Sequence, residues 1–121
     1  MPKKQILIVD DDPISIEILR RSLSEAGYSV ISASNGRQAL KIAAKMIPNL
    51  IVLDIVMPGL DGGEVANILK KDIITKNIPI IFLSSLIKVK EEKISSKEDK
   101  IALLSKPYNQ EKMLKEIKKR L

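Results

Sequence analysis

The sequence contains no cysteine, no histidine and no tryptophan, and its only aromatic residues are Phe82, Tyr28 and Tyr108. Without cysteine and histidine the chain cannot form disulfides, thiolate nucleophiles, zinc fingers or imidazole-based acid–base pairs. Three aromatic side chains are also too few for the stacking platforms of proteins that read single-stranded RNA. Any chemistry must therefore use carboxylates, hydroxyls, lysine or the backbone.

Long apolar runs are absent as well. No run reaches the roughly 18 residues that a membrane-spanning helix requires. The N-terminal segment 1–4 carries two lysines, but only the short run 5–9 separates it from three aspartates, which does not match a secretory signal peptide. We therefore expect a cytoplasmic location and no membrane partner.

The composition is that of an ordinary globular protein, with 45% hydrophobic and 30% charged residues over 121 positions. This length predicts one domain over residues 1–121. The formal net charge is +6, but acidic residues are interspersed with the basic ones, as over 88–100. Such mixing favours solvated helix faces over a nucleic-acid surface, and we expect no direct binding to nucleic acid.

Short apolar runs alternate with amphipathic segments along the chain. The runs are continuous rather than alternating, which is typical of strands that are buried on both faces of a parallel sheet. Strands are predicted over residues 6–9, 29–33, 50–53, 80–83 and 101–104. Helices are predicted between residues 12 and 27, between 35 and 48, around 65–69, over 88–97 and over 113–121. This alternation predicts an α/β fold, a doubly wound five-stranded parallel sheet with helices on both faces.

The first helix has the clearest boundaries. Asp12 precedes Pro13, as expected for an N-cap followed by proline at the first helical position, and Gly27 is expected to end the helix. Its apolar stripe is expected at the four-residue spacing that begins with Ile14 and Ile18, with leucines beside it. Ser34 or Asn35 is expected to cap the second helix.

Polar residues interrupt the apolar strands where the strands end. They are Asp10 and Asp11 after the first strand, Asp54 at the third, Ser84 at the fourth and Lys106 at the fifth. The carboxyl ends of parallel strands share one edge of the sheet, where ligands of such folds bind. If the first and third strands are neighbours, three carboxylates converge there and repel one another unless a cation compensates.

Mg²⁺ suits such a set of oxygen ligands. Together with one lysine it would neutralise the three carboxylates. Each of these residues alone has an ordinary explanation, as a loop residue, a strand end or a solvated lysine. Their joint placement at four strand ends favours a functional site.

Four blocks of the sequence resemble the receiver domains of two-component response regulators. The blocks span residues 6–12, 53–62, 79–85 and 104–108, and their key residues Asp11, Asp54, Ser84 and Lys106 lie 43, 30 and 22 positions apart, which resembles the family's spacing. The resemblance covers essentially the whole chain. It implies a flavodoxin-like fold with strand order 2-1-3-4-5.

The resemblance also implies a metal site and a phosphoacceptor. Asp54 matches the phosphoacceptor, and it would bind Mg²⁺ together with Asp11, which contacts the ion directly, and Asp10, which acts partly through water. The backbone carbonyl of Val56 would be a further ligand. Of the remaining matches, Ser84 would hydrogen-bond the phosphoryl group and Lys106 would contact it.

The implied function is that of a phosphoacceptor signalling module, not an enzyme, although the domain takes part in its own phosphorylation and autodephosphorylation. The phosphodonor would be a sensor histidine kinase, a histidine phosphotransfer protein or a small molecule, and the output a downstream protein or an output domain. An alternative is a non-phosphorylated pseudo-receiver or a basic binding module. A phosphohydrolase of the haloacid dehalogenase type would need a second aspartate two residues after Asp54, where Val56 stands. The sequence leaves open the cognate kinase, the pathway, the oligomeric state, and whether the receiver stands alone.

The sequence departs from the receiver pattern in two places. Leu103 stands where these domains commonly carry tyrosine or phenylalanine, and residues 97–100 replace the usual Gly-Ala turn before the fifth strand. We therefore expect the phosphorylation chemistry to be retained. We predict that the conformational change depends on the loop 84–86 and the lysine-rich helix after it, rather than on an aromatic switch.

Overall fold

The computed structural model describes residues 3–84, 101–105 and 110–121, with side chains except for Ser84 and 101–105. The strands are β1 (Gln5–Val9), β2 (Ser29–Ala33), β3 (Leu50–Asp54), β4 (Ile80–Ser84) and β5 (Ile101–Ser105). The helices are α1 (Pro13–Glu25), α2 (Gly36–Met46), α3 (Gly62–Lys71) and α4 (Gln110–Arg120). The helix predicted over 88–97 lies outside the described residues. None of the described helices combines the length and apolar character needed to cross a membrane.

The strands form one parallel sheet in which β1 lies between β2 and β3. Val9 pairs with Ala33 on one side and with Leu53 on the other, so the carboxyl ends of β1 and β3 stop side by side. β4 follows β3, and the backbone of β5 lies beside β4. The flavodoxin-like parallel α/β fold predicted from the sequence is confirmed, with the order 2-1-3-4 for its first four strands.

Helices cover both faces of the sheet because alternate strand residues point to opposite sides. Leu7 and Val9 pack with the buried residues of α2 and α3, whereas Ile6 and Ile8 pack with those of α1 and α4. All four side chains are at most 1% exposed. The continuous apolar run in β1 therefore follows from burial on both faces.

The predicted boundaries of α1 are confirmed. The side chain of Asp12 accepts a hydrogen bond from the backbone N–H of Ile14 at 3.0 Å, and Pro13 is the first helical residue. The helix ends at Glu25, and Gly27 follows with a φ of 98°. Glycine adopts this left-handed conformation without the steric penalty of a side chain.

The predicted apolar stripe of α1 was wrong at the two isoleucines and right at the leucines beside it. Ile14 and Ile18 are 69% and 55% exposed, whereas Leu19 and Leu23 are buried against the sheet. A strict four-residue spacing drifts around a helix of 3.6 residues per turn. Ile16, Leu19 and Leu23 follow the mixed three- and four-residue spacing of one face, and this face packs against the sheet.

The two caps of α2 differ in backbone conformation, which is extended at the N-cap and left-handed at the C-cap. Asn35, rather than Ser34, is the N-cap, and its side chain accepts a hydrogen bond from the N–H of Gln38 at 2.8 Å. The C-cap, Ile47, has a φ of 45° and is 54% exposed. An L-residue in this conformation costs about 1–2 kcal/mol, and a β-branched residue is especially rare there.

Ile47→Gly is expected to raise the free energy of unfolding by about 1 kcal/mol, because glycine adopts the left-handed conformation without this penalty. The matched control is Met46→Gly at the neighbouring, 46% exposed helical position. It is expected to lower the same free energy by about 1 kcal/mol, because glycine is a poor helix former. Urea denaturation of both variants checks the prediction, and equal losses of stability would contradict it.

Candidate functional site

Three carboxylates meet at the carboxyl ends of β1 and β3. Asp10 and Asp11 directly follow β1, and Asp54 is the last residue of β3. One oxygen atom from each carboxylate lies within 4.8 Å of the other two. The neighbouring positions of β1 and β3 produce this convergence, which is the arrangement predicted from the strand ends.

The three carboxylates differ in their exposure to solvent. Asp10 is 1% exposed and Asp54 is 5% exposed, whereas Asp11 lies at the exposed mouth of the site. Two backbone groups orient the buried pair. The N–H of Asp12 donates to Oδ1 of Asp10 at 3.0 Å, and the N–H of Val56 donates to Oδ1 of Asp54 at 3.4 Å. The site is thus a half-open acidic pocket with two fixed carboxylates at its base.

The charges of this acidic pocket favour a cation. Two unit charges about 5 Å apart repel by about 3 kcal/mol at an effective dielectric constant near 20. The buried carboxylates of Asp10 and Asp54 are shielded by little water, and the negative charge of Asp11 adds to theirs. An ammonium group or a metal ion near all three carboxylates would offset this repulsion.

The loop that follows Asp54 is held by close backbone contacts. The N–H of Ile55 donates to the carbonyl of Leu83 at 2.9 Å, which ties the start of the loop to β4. The N–H of Gly62 donates to the carbonyl of Ile55, also at 2.9 Å. Asp61 then caps α3, and its side chain forms a reciprocal capping box with Glu64. The loop therefore returns to the end of β3 before α3 begins.

Gly62 permits this close approach of two backbone segments. A Cβ atom at this position would lie 2.4 Å from the carbonyl oxygen of Asp54 and 2.7 Å from the Cα of Ile55. Glycine is found where one backbone must pass this close to another. The sequence pattern assigns Gly62 to loop geometry rather than to the site. The signal was present in the two consecutive glycines that open α3, where glycine is otherwise unfavourable.

The structure locates the remaining predicted site residues only in part. Val56 lies two positions beyond β3 and is 44% exposed. Ser84 is the last residue of β4, and the residue before it pairs with Asp54, so its backbone lies beside the acidic pocket. Lys106 lies outside the described residues, directly after the end of β5. The structure thus brings the three aspartates together and places the backbone of Ser84 next to them.

Comparison with solved structures shows the same architecture in a response regulator. The response regulator protein TrrA of Thermotoga maritima, solved in complex with Mg²⁺ and BeF, has a TM-score of 0.82 and 36% sequence identity to this chain. The match covers 98% of this chain and 99% of that chain. The likeness therefore extends over the whole domain.

The chain is also similar to curated proteins of two sizes. It is 34% identical over 113 residues to the protein PilH of Pseudomonas aeruginosa, and the match covers 93% of each chain. It is 44% identical over 91 residues to the probable transcriptional regulator ycf27 of Porphyridium aerugineum, which covers 75% of this chain. The match spans only 37% of that regulator, so the chain corresponds to part of the longer protein.

The family comparison covers most of the chain. Residues 6–118 match the model of the response regulator receiver domain. The matched range contains the acidic pocket and every strand of the sheet except the first residue of β1. The chain therefore belongs to the response regulator receiver domains of two-component signalling.

Proposed function

We propose that residues 1–121 act as one receiver domain that accepts a phosphoryl group on Asp54. The observation that carries this proposal is the convergence of Asp54 with Asp10 and Asp11 within 4.8 Å. A single buried carboxylate at a strand end has many explanations. Three carboxylates around one point, next to the end of β4, form a site suited to a phosphoryl group and its counter-cation.

The donor set of the acidic pocket fits Mg²⁺. Mg²⁺ prefers oxygen ligands at about 2.0–2.1 Å, so two ligands on opposite sides of the ion lie about 4 Å apart. The carboxylate oxygens of Asp10, Asp11 and Asp54 already lie within 4.8 Å of one another. These three residues would hold the ion, with the backbone carbonyl of Val56 as a further ligand. When bound, the ion neutralises negative charge on the phosphoryl oxygens.

Asp54 would act as the nucleophile of the transfer. One of its carboxylate oxygens attacks phosphorus, the bond from phosphorus to the donor's histidine nitrogen breaks, and an aspartyl phosphate forms. The rest of the catalysis is positioning and charge stabilisation. The N–H of Val56 orients the Asp54 carboxylate. Lys106 and Ser84 would bind the oxygens of the phosphoryl group once the group has been transferred.

Receiver domains are signalling modules that interact with histidine kinases and output domains. For this chain we propose a sensor histidine kinase or a histidine phosphotransfer protein as the phosphodonor. The phosphorylated state would alter contacts with a downstream protein or an output domain, in the cytoplasm. A phosphohydrolase of the haloacid dehalogenase type is disfavoured, because Val56 cannot supply the second carboxylate. The alternative of a pseudo-receiver or a basic binding module requires no phosphorylation.

Asp54→Asn is expected to abolish phosphorylation by acetyl phosphate and Mg²⁺, because the amide is not a nucleophilic carboxylate. Intact-mass spectrometry of the wild type and the variant measures this directly. The matched control is Asp61→Asn, which alters the cap of α3 outside the acidic pocket and should leave the yield unchanged, since asparagine caps as well as aspartate. No incorporation by the wild type, or full incorporation by Asp54→Asn, would contradict the proposal and favour the non-phosphorylated alternatives.

A further inference from the structure

The outer edge of β2 is open in the part of the chain that the structure describes. β2 pairs with β1 alone, and the N–H of Ser29 and the carbonyl of Ala33 both form hydrogen bonds toward β1. Backbone groups of successive strand residues point in opposite directions. The N–H and C=O groups of Val30 and Ser32 therefore point away from the sheet. β2 has no proline or bulge, which often protect such edges.

A groove of about 480 Å³ runs along this edge, and we call it the β2 groove. Its floor is formed by residues 30–32 of β2, and one wall by Ile42 and Met46 of α2. Most of its surface is apolar, and Met46 is 46% exposed. The β2 groove thus combines free backbone edge positions with an apolar wall, the two features that bind an extended peptide strand.

Three basic side chains border the β2 groove, and none of the described residues that line it is acidic. Arg20 reaches over from α1 and donates to Oγ of Ser32 at 2.9 Å, while its side chain stays 40% exposed. Lys41 and Lys45 lie on the α2 side and are exposed. Because Glu17 lies 3.9 Å from the Arg20 guanidinium and offsets its charge, the uncompensated positive charge lies on the α2 side of the open edge.

This charge distribution selects among the possible occupants of the β2 groove. A second copy of the chain, pairing edge to edge, would bring two basic groups of side chains together, which like-charge repulsion opposes. The three basic side chains that line the β2 groove could contact few phosphates, so they would bind nucleic acid weakly. An acidic polypeptide strand would complement the charge of Lys41 and Lys45 and could pair with the open backbone edge.

The spacing of the lysines defines the acidic pattern that fits. Lys41 and Lys45 are four residues apart on α2, so their Cβ atoms are about 5–6 Å apart. Residues two apart in a strand are separated by about 6.6 Å and point to the same side. Two acidic residues at that spacing can therefore meet both lysines, and the residue between them points toward the side of Arg20.

We propose that the β2 groove is a docking site for an extended, acidic segment of a partner protein, which adds to the sheet beside β2. The segment would form backbone hydrogen bonds to Val30 and Ser32 and present alternating acidic residues to Lys41 and Lys45. This interaction surface lies outside the acidic pocket and goes beyond the proposed phosphoacceptor function. It does not depend on phosphorylation of Asp54.

The test titrates the full chain, without a phosphodonor, with a short capped peptide of alternating valine and glutamate. Amide NMR is expected to show saturable shifts centred on Val30 and Ser32, and slower hydrogen exchange of both amides. Two control peptides should bind at least about tenfold more weakly, a difference of about 1.4 kcal/mol. One is the same peptide with alternate backbone amides methylated, and the other alternates valine with lysine.

Variants of the chain separate charge from backbone pairing. Lys41→Glu combined with Lys45→Glu should weaken binding at least about tenfold, again about 1.4 kcal/mol. The matched control reverses two exposed lysines outside the β2 groove, Lys71→Glu with Lys76→Glu, and should leave affinity within a factor of about two, equivalent to about 0.4 kcal/mol. Val30→Pro should also weaken binding, because it removes an outward N–H without touching the ladder to β1.

Several results would overturn the proposal. The proposal fails if the glutamate peptide does not bind saturably, if the shifts centre outside the β2 groove, or if the lysine peptide binds equally well. Equal affinity for an oligothymidine at the same residues would show a nucleic-acid surface instead. Concentration-dependent dimerisation through Val30 and Ser32 would show self-association instead. If Val30→Pro fails to fold, the lysine double variant and the methylated peptide still decide the outcome.

Discussion

Asp11→Asn is expected to weaken Mg²⁺ binding by at least about tenfold, because it removes one of the three carboxylates proposed to hold the ion. Even residues that only hydrogen-bond to a metal ligand typically contribute about tenfold or more to metal affinity. Asp12→Asn should leave the affinity almost unchanged. The Asp12 carboxylate caps α1, accepting from the N–H of Ile14 at 3.0 Å and from the hydroxyl of Ser15 at 3.2 Å. Asparagine serves this cap about as well. Isothermal titration of both variants with Mg²⁺ measures the difference, and equal affinities would contradict the assignment.

The same pair of variants tests the electrostatic argument without a metal. In a buffer with a chelator, Asp11→Asn removes repulsion within the acidic pocket and should unfold at a higher urea concentration than the wild type. Asp12→Asn retains all three carboxylates of the pocket and should unfold at nearly the wild-type concentration. A loss of stability in Asp11→Asn would show that its carboxylate stabilises the metal-free fold and would contradict the repulsion argument.

Gly62→Ala is expected to lower the free energy of unfolding by at least about 2 kcal/mol, because the new Cβ overpacks a fixed backbone contact. Its ideal position is 2.4 Å from the carbonyl oxygen of Asp54, and relief requires the end of β3 or the start of α3 to move. Because the new Cβ meets the Asp54 carbonyl and the Ile55 Cα, we expect the end of β3 to shift, which displaces the Asp54 carboxylate from its partners. Mg²⁺ affinity should therefore fall together with stability.

The matched control is Gly63→Ala, one residue further along α3. A Cβ there meets only the Oδ1 atom of Asp61, at 3.3 Å, and this side chain can shift slightly. Alanine also favours the helix, so stability should change by less than about 1 kcal/mol. Urea denaturation and Mg²⁺ titration of both variants check the prediction. Similar behaviour of the two variants would show that the contact at Gly62 is not tight.

The acidic pocket could be predicted because it follows from the sheet alone. A parallel strand that ends in a carboxylate places that carboxylate at the edge shared with its neighbours, so Asp10, Asp11 and Asp54 could be grouped from their positions in the sequence. The caps of α1 and α2 are equally local, since each depends on residues within four positions of one another. The roles of Ser84 and Lys106 stay predictions.

Features that depend on packing between distant segments could not be predicted. The buried face of α1 depends on how the helix sits against the sheet, so Ile14 and Ile18 were assigned to the wrong side. The tight position of Gly62 depends on the return path of a loop, which periodicity does not encode. The β2 groove joins Arg20 to Lys45 around a strand edge, and only the assembled sheet brings these residues together.

Locating the phosphoryl group on the wild-type chain tests the central claim most directly. The protein is incubated with acetyl phosphate, with Mg²⁺ or with a chelator, and then digested and sequenced by tandem mass spectrometry. We predict one phosphoryl group per chain, on Asp54, that appears only when Mg²⁺ is present. A phosphoryl group on any other residue, equal incorporation in the chelator, or no incorporation at all would contradict the assignment of Asp54 as the phosphoacceptor.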